Sequence, residues 1–235
     1  MTPHRALREE AFDANRRILE AGLVVLTFGN VSVADLSAAV MAIKPSGMPY
    51  EELSPESMVI VDLETGRSQG SLKPSSDAPT HLVLYRNFVN VGGIVHTHSP
   101  YATSWAQACS PIPCLGTTHA DHFHGPVPVT RTHTPEEIQR EYERETGNLI
   151  VETFEAQGLD PLAIPAALVA SHGPFVWGRT ARDAVENAIA LEIIAGLACH
   201  SLALAPTATA IAIDLSEKHY RRKHGATAYY GQGKE

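Results

Sequence analysis

Cysteine and aromatic residues are scarce in this chain of 235 residues, which has three cysteines and only 6% Phe, Trp and Tyr together. Cys109, Cys114 and Cys199 are odd in number and show no CxxC spacing, so neither a disulfide framework nor a cysteine-ligated zinc site is indicated, and a reducing compartment fits. Positive charge is also in deficit. Lys and Arg number 18 against 26 Asp and Glu, a net charge of −8, which argues against a basic nucleic-acid groove. The short basic tail at Lys218, Arg221, Arg222 and Lys223 does not reverse that balance. The opening MTPHRALREEAF is charged from the start and lacks the apolar core of a signal peptide, so a cytoplasmic location is expected. One uncharged stretch, Ile193 to Ile213, has the length of a membrane span. Glu192, His200 and Pro206 border or interrupt it, and it continues an amphipathic helix, so it is read as buried, with no membrane partner.

What the chain has in excess is histidine. Six of its 12 histidines, His96, His98, His119, His122, His124 and His133, fall in one short window. Such clustering asks for a chemical explanation.

With 44% hydrophobic and 19% charged residues, no repeat and no linker, residues 1–235 are expected to form a single domain. Leu7, Ala11, Ala14, Ile18 and Leu19 recur at helical spacing. Strands are expected at Leu23 to Phe28, Ala39 to Lys44 and Met58 to Leu63, the last ended by Glu64-Thr65-Gly66. A helix fits Ala78 to Val91, and Gly92-Gly93 break it before a short strand, IVHTH. Thr134-Pro135-Glu136-Glu137 predicts the start of a helix reaching about Gln157. ALVAS and PFVWG read as strands around His172-Gly173, and Thr180 with Asp183 forms a capping box for a helix through Leu204. The mixture predicts an α/β layered domain with a largely antiparallel or mixed sheet.

His96 and His98 are two apart in an expected strand, which would send both imidazoles from one face toward a single ion. A polar strand face is the plainer reading of the pair alone. His172, at a sharp strand end, fits a metal ligand or a hydrogen-bonded structural histidine, and Asp77 fits a ligand or a helix N-cap. Together, three neutral imidazoles and a carboxylate suit zinc or another borderline divalent ion. Phe28 to Ser32, Lys44 to Gly47 and Lys73 to Ser76 carry small residues able to cradle a phosphate, though ordinary turns use the same residues. The acidic run Glu136 to Glu145 is most simply a solvated face, although Glu143 could enter a site at a subunit boundary.

The segments FGNVS, IKPSG, KPSSDAPTH, GGIVHTHS, GTTHADHF, ETGNLIVETF, SHGPFVWG and KHYRRKHGATAYYGQ, in this order along the whole chain, resemble the class II aldolase and epimerase superfamily, and within it the L-ribulose-5-phosphate 4-epimerases. The resemblance implies an α/β domain with a central, mainly antiparallel β-sheet flanked by helices, a zinc ion (or manganese or cobalt), and a fourfold-symmetric homotetramer with sites between subunits. A C-terminal helix and tail from about residue 214 would reach the active site. It implies a phosphorylated ketopentose substrate. His96, His98 and His172 match the metal ligands, with Asp77 as a fourth ligand or a movable base. Gly29, Asn30, Lys44, Ser46, Gly47, Ser75 and Ser76 match the substrate and phosphate pockets. Asp121 and Tyr230 match the acid/base pair, and Thr117, Glu143 and His219 match supporting positions near it. Phe28 stands where tryptophan is common, and His122 and His124 replace frequent aromatics. The alternatives within the superfamily are a sugar-phosphate aldolase like L-fuculose-1-phosphate aldolase, which usually carries Glu at the place of Asp77, and a non-catalytic module like the adducin head. Retention of the metal and acid/base positions argues against the latter.

Overall fold

Six strands pair antiparallel throughout, in the order β3-β2-β1-β4-β6-β5. They are β1 (Asn30–Asp35), β2 (Val40–Ile43), β3 (Val59–Asp62), β4 (Gly93–His96), β5 (Ala166–Leu168) and β6 (Pro174–Gly178). The computed structural model describes residues 4–224 and 228–229. Two short 3-10 helices (Tyr50–Glu52 and Pro55–Ser57) and eight α-helices complete the described fold: α1 (Arg5–Glu20), α2 (Ala78–Asn87), α3 (Pro100–Gln107), α4 (Thr117–Ala120), α5 (Pro135–Arg140), α6 (Tyr142–Gln157), α7 (Ala181–Leu204) and α8 (Ile213–His224). The expected helix-flanked antiparallel sheet is what the chain forms.

Side-chain alternation along β1 sorts the two faces. Val31 and Val33 are buried on the side where α1 and α7 pack. Asn30 and Ser32 point the other way, where the Ser32 hydroxyl meets His81 Nδ1 at 2.7 Å and the Tyr85 hydroxyl at 2.8 Å, both from α2. His96 lies directly across from Asn30 on one side and Phe175 on the other, so these three side chains form a row on the α2 face. Further along that face, Phe88, Phe154 and Trp177 pack in tilted and edge-on contacts with ring centroids 5.0 to 5.3 Å apart and clamp α2 and α6 onto the sheet. Each such aromatic pair adds about 0.5–1.5 kcal/mol beyond burial. On the opposite face the buried Asn15 of α1 donates to Val31 O and accepts from Val31 N–H, standing in for a neighbouring strand.

The expected strand at Leu23 to Phe28 does not form. Leu23 and Val24 are buried, but Val25 and Leu26 are 65% and 73% exposed, and Leu26 adopts a left-handed φ of 58°. The segment is an irregular stretch with one turn at Leu26-Thr27 that delivers Gly29 to the sheet, and the strand begins at Asn30. Apolar composition alone had no period to separate turn from strand. The helix expected from Thr134 starts with its capping box but breaks at Glu141 into α5 and α6, and α2 ends at Asn87 because Phe88 turns extended into the core. The strand through IVHTH stops at His96, so Thr97 and His98 lie in the loop before α3. Helix α7 is long and apolar enough to cross a membrane, yet Ala184, Val185, Ala188, Leu191, Ile194 and Ala195 are buried, and the helix packs on β4, β6 and α3. These contacts are those of a core helix.

Candidate metal and substrate site

At the end of β4 a cavity of about 340 Å³ opens, lined by the loops before β1, after β2 and before α2 together with His96, His98 and His172. The loops are stitched to one another, since Ser46 N–H donates to Lys73 O at 3.0 Å and Ser75 N–H to Lys44 O at 2.9 Å. Gly29 is required where it stands. Its φ is +75°, and a Cβ there would lie 2.8 Å from both His96 O and Val24 Cγ1.

The three histidines converge although only His96 is on a strand. Their ligand atoms all lie within 4.8 Å of one another, and His96 Nε2 is 3.1 Å from His98 Nε2. Two nitrogens each about 2.05 Å from one tetrahedral ion would be about 3.3 Å apart, so the His96–His98 separation is compatible with a shared ion. His96 Nδ1 donates to Pro174 O at 2.9 Å, leaving Nε2 as a lone-pair donor. Burial, followed by the neighbouring histidines, holds the His172 imidazole neutral with its pKa down to about 3, and burial also lowers that of His98. A set of neutral imidazoles is what a divalent cation needs.

Asp77 occupies the N-cap position of α2 but makes no side-chain cap bond. Its Oδ2 accepts from Asn30 Nδ2 at 2.7 Å and from the Ser75 hydroxyl at 3.4 Å, which turns the carboxylate into the cavity. Burial works to raise its pKa, but the neighbouring His96 and His81 and the Asn30 bond outweigh it and leave the group below its ordinary value. Lys44 is 2% exposed, with its ammonium 4.8 Å from the Tyr50 ring centroid and Nζ 3.4 Å from Thr27 O. Burial lowers its pKa. A buried cation with so little compensation stands ready for an anionic group, and Ser46, Gly47, Ser75 and Ser76 line the same cavity.

The cavity gathers one part of the expected site. Gly29, Asn30, Lys44, Ser46, Gly47, Ser75, Ser76, Asp77, His96, His98 and His172 line it, and so does Glu143, which lies with the histidines rather than beside Asp121. Asp121, Thr117 and His219 do not line it. Asp121 follows α4 and is bound to α8: Arg222 Nε and Nη2 donate to its two oxygens at 2.9 and 2.7 Å, and His219 Nδ1 lies 3.1 Å from Oδ1. Partial burial alone would raise its pKa, but Arg222 and His219 hold it below its ordinary value. Tyr230 lies outside the described residues. Sequence reasoning missed Tyr142, which lines the cavity beside Glu143, and Arg222, whose partner is 101 residues away. A tyrosine and an arginine in amphipathic helices carry no local signal of either contact.

Known proteins place these features in context. A family profile described as class II aldolase and adducin N-terminal domain matches residues 9–199. The chain is 47% identical over 226 residues to L-ribulose-5-phosphate 4-epimerase UlaF of Salmonella paratyphi C (strain RKS4594), a match covering 96% of this chain and 98% of that one. The same identity and coverage hold for the protein of that name from Salmonella choleraesuis (strain SC-B67). Among solved structures, an L-fuculose 1-phosphate aldolase superposes with a TM-score of 0.77 at 23% identity, covering 92% of this chain and 95% of that chain. YgbL of Klebsiella pneumoniae, described as a putative aldolase/epimerase/decarboxylase, superposes at 0.71 with 25% identity, covering 91% of this chain and 97% of that chain. The match of the family profile over most of the sequence, and of the relatives over nearly all of it, means that the chain belongs to the class II aldolase and adducin N-terminal domain family.

Proposed function

We propose that this protein is a metal-dependent L-ribulose-5-phosphate 4-epimerase, interconverting L-ribulose 5-phosphate and D-xylulose 5-phosphate. The observation that carries the reading is the meeting of three histidines with a buried lysine and two serine-bearing loops in one cavity. It suits a phosphorylated ketose held at one end by its phosphate and at the other by its carbonyl. The identity to relatives of that name supports the same choice.

The chemistry follows from the substrate. The C4 hydrogen is not adjacent to the C2 carbonyl, so its removal would lack enolate stabilisation. Breaking the bond between C3 and C4 leaves the electron pair on C3, next to the carbonyl, and releases glycolaldehyde phosphate as the other fragment. A divalent ion held by His96, His98 and His172, zinc being our assignment, would supply Lewis-acid stabilisation to that charge, worth roughly several kcal/mol. Lys44, Ser46, Ser75 and Ser76 hold the phosphate while the aldehyde turns, and re-addition to its other face inverts C4. The C4 oxygen loses its proton during cleavage and regains one afterwards, which calls for acid/base groups on two sides; we assign these to Asp121 and Tyr230. Because Asp121, with Thr117 and His219, lies away from the cavity of its own subunit, we assign it to the cavity of a neighbour in a cytoplasmic C4 homotetramer.

The test is product analysis. Metal-loaded protein given L-ribulose 5-phosphate should form D-xylulose 5-phosphate, and a chelator should abolish this. Dihydroxyacetone and glycolaldehyde phosphate accumulating without the epimer would instead mark an aldolase, and no turnover would mark an interaction module.

A further inference from the structure

Each metal-ligating imidazole needs its second nitrogen engaged if the ring is to hold one tautomer and one orientation. For His96 the engagement is backbone, through Pro174 O. His172 has no such anchor. It follows Ser171, whose φ is +62°, in the turn between β5 and β6, and it is only partly buried. Its Nδ1 meets one group, the Tyr142 hydroxyl, at 3.2 Å. Tyr142 is the first residue of α6, placed there by the break at Glu141. Behind it, the His133 ring packs on the phenol with centroids 4.8 Å apart. His133 Nε2 is 3.1 Å from the Thr146 hydroxyl, which itself donates to Tyr142 O at 2.9 Å.

We infer that Tyr142, backed by His133, is the positioning residue of His172, fixing the ring so that Nδ1–H donates to the phenol and Nε2 is presented to the metal ion. The inference rests on the reading of the three histidines as a metal site. It also gives His133, a member of the histidine cluster with no role in the proposed reaction, a structural task. The layering His133, Tyr142, His172 gives a residue carried on a turn a defined direction, and Tyr142 also lines the cavity.

Tyr142→Phe removes the hydroxyl and keeps the ring on His133. Zinc affinity of the variant, measured by competition with a chromophoric chelator, should fall by roughly 10–100-fold. The visible absorption of the cobalt-loaded protein should change in band position or intensity. The unfolding midpoint of the metal-free variant should match that of the wild type, which a general packing defect would not allow. His133→Leu should weaken zinc in the same direction by a smaller factor. Zinc affinity within twofold of wild type and an unaltered cobalt spectrum in Tyr142→Phe would overturn the inference, as would a loss of turnover alone with metal affinity intact, since the phenol would then act on the substrate. Wild-type affinity in His133→Leu beside a weakened Tyr142→Phe would overturn the part given to His133. If the wild-type protein itself holds neither ion, the metal reading fails and this inference with it.

Discussion

Acidification should loosen the turn that carries Asp121, and the responsible group is His119. This imidazole is 4% exposed and its Nε2–H donates to Gly125 O at 2.7 Å, closing the loop after α4. Burial is the larger influence and pushes its pKa down from 6.5 to about 4, against a smaller upward pull from the Gly125 bond. The sign follows from linkage. The unfolded chain takes up a proton near pH 6.5 and the folded chain only near pH 4, so His119 costs no stability well above 6.5. Stability is lost as the pH falls between the two values, and the slope ends below the lower one. At about 1.4 kcal/mol per pH unit the whole window is worth about 3 kcal/mol, of which about 2 kcal/mol falls between pH 7 and pH 5. Denaturant unfolding of the wild type and of His119→Gln at both pH values isolates this residue, because the other buried imidazoles titrate in both proteins and cancel. The amide of Gln keeps a donor for Gly125 O but does not titrate. The stability difference between the two proteins should therefore move by about 2 kcal/mol in favour of the variant at pH 5. An unchanged difference would refute the assignment of a buried neutral imidazole to this turn.

Lys44→Met should raise KM for the phosphorylated ketose at least about tenfold with a smaller effect on kcat, since a buried cation at the anion end contributes mainly to binding; an unaltered KM in steady-state kinetics would remove Lys44 from the phosphate pocket. Asp121→Asn should abolish epimerisation while leaving zinc stoichiometry by elemental analysis unchanged, because Asp121 is assigned to proton transfer and is not grouped with His96, His98 and His172. In Gly178→Ala the added Cβ would lie 2.5 Å from Ala184 N and 2.6 Å from Asp183 Cβ, at the start of α7. Unfolding measurements should find it less stable by roughly 1–3 kcal/mol.

Much of this architecture is legible where periodicity and capping speak together. The strands at β2, β3 and β6 and the helix opened by Thr180 and Asp183 appear where local patterns put them, because burial on one face and satisfaction of the first helical N–H groups are local demands. Leu23 to Phe28 misleads for the same reason: its composition suits a strand, but Gly22 and Gly29, both with positive φ, turn the chain at either end. At the site, the HxH spacing points to a pair that does converge, but not as two residues of one strand face, since His98 leaves a loop. The carboxylate of Asp77 is readable as cap or ligand until Asn30 draws it inward. The clamp of Arg222 on Asp121 and the bond of Tyr142 to His172 are fixed by tertiary packing across 101 and 30 residues, and no local rule encodes them.

The position of β4 within the sheet gives the three histidines unequal mechanical freedom. His96 is flanked by β1 and β6, both paired to β4 along its length, so it can shift only if the middle of the domain opens. His98 and His172 hang from a loop and a turn, the kind of segment that opens at far lower free energy. The triad is therefore one post fixed by the sheet and two arms reaching in from a loop and a turn, the His172 arm braced by the Tyr142 hydroxyl at its Nδ1. On the proposed metal reading, cations of different radius would be met first by movement of His98, while His96 sets the origin from which the rest of the site is measured.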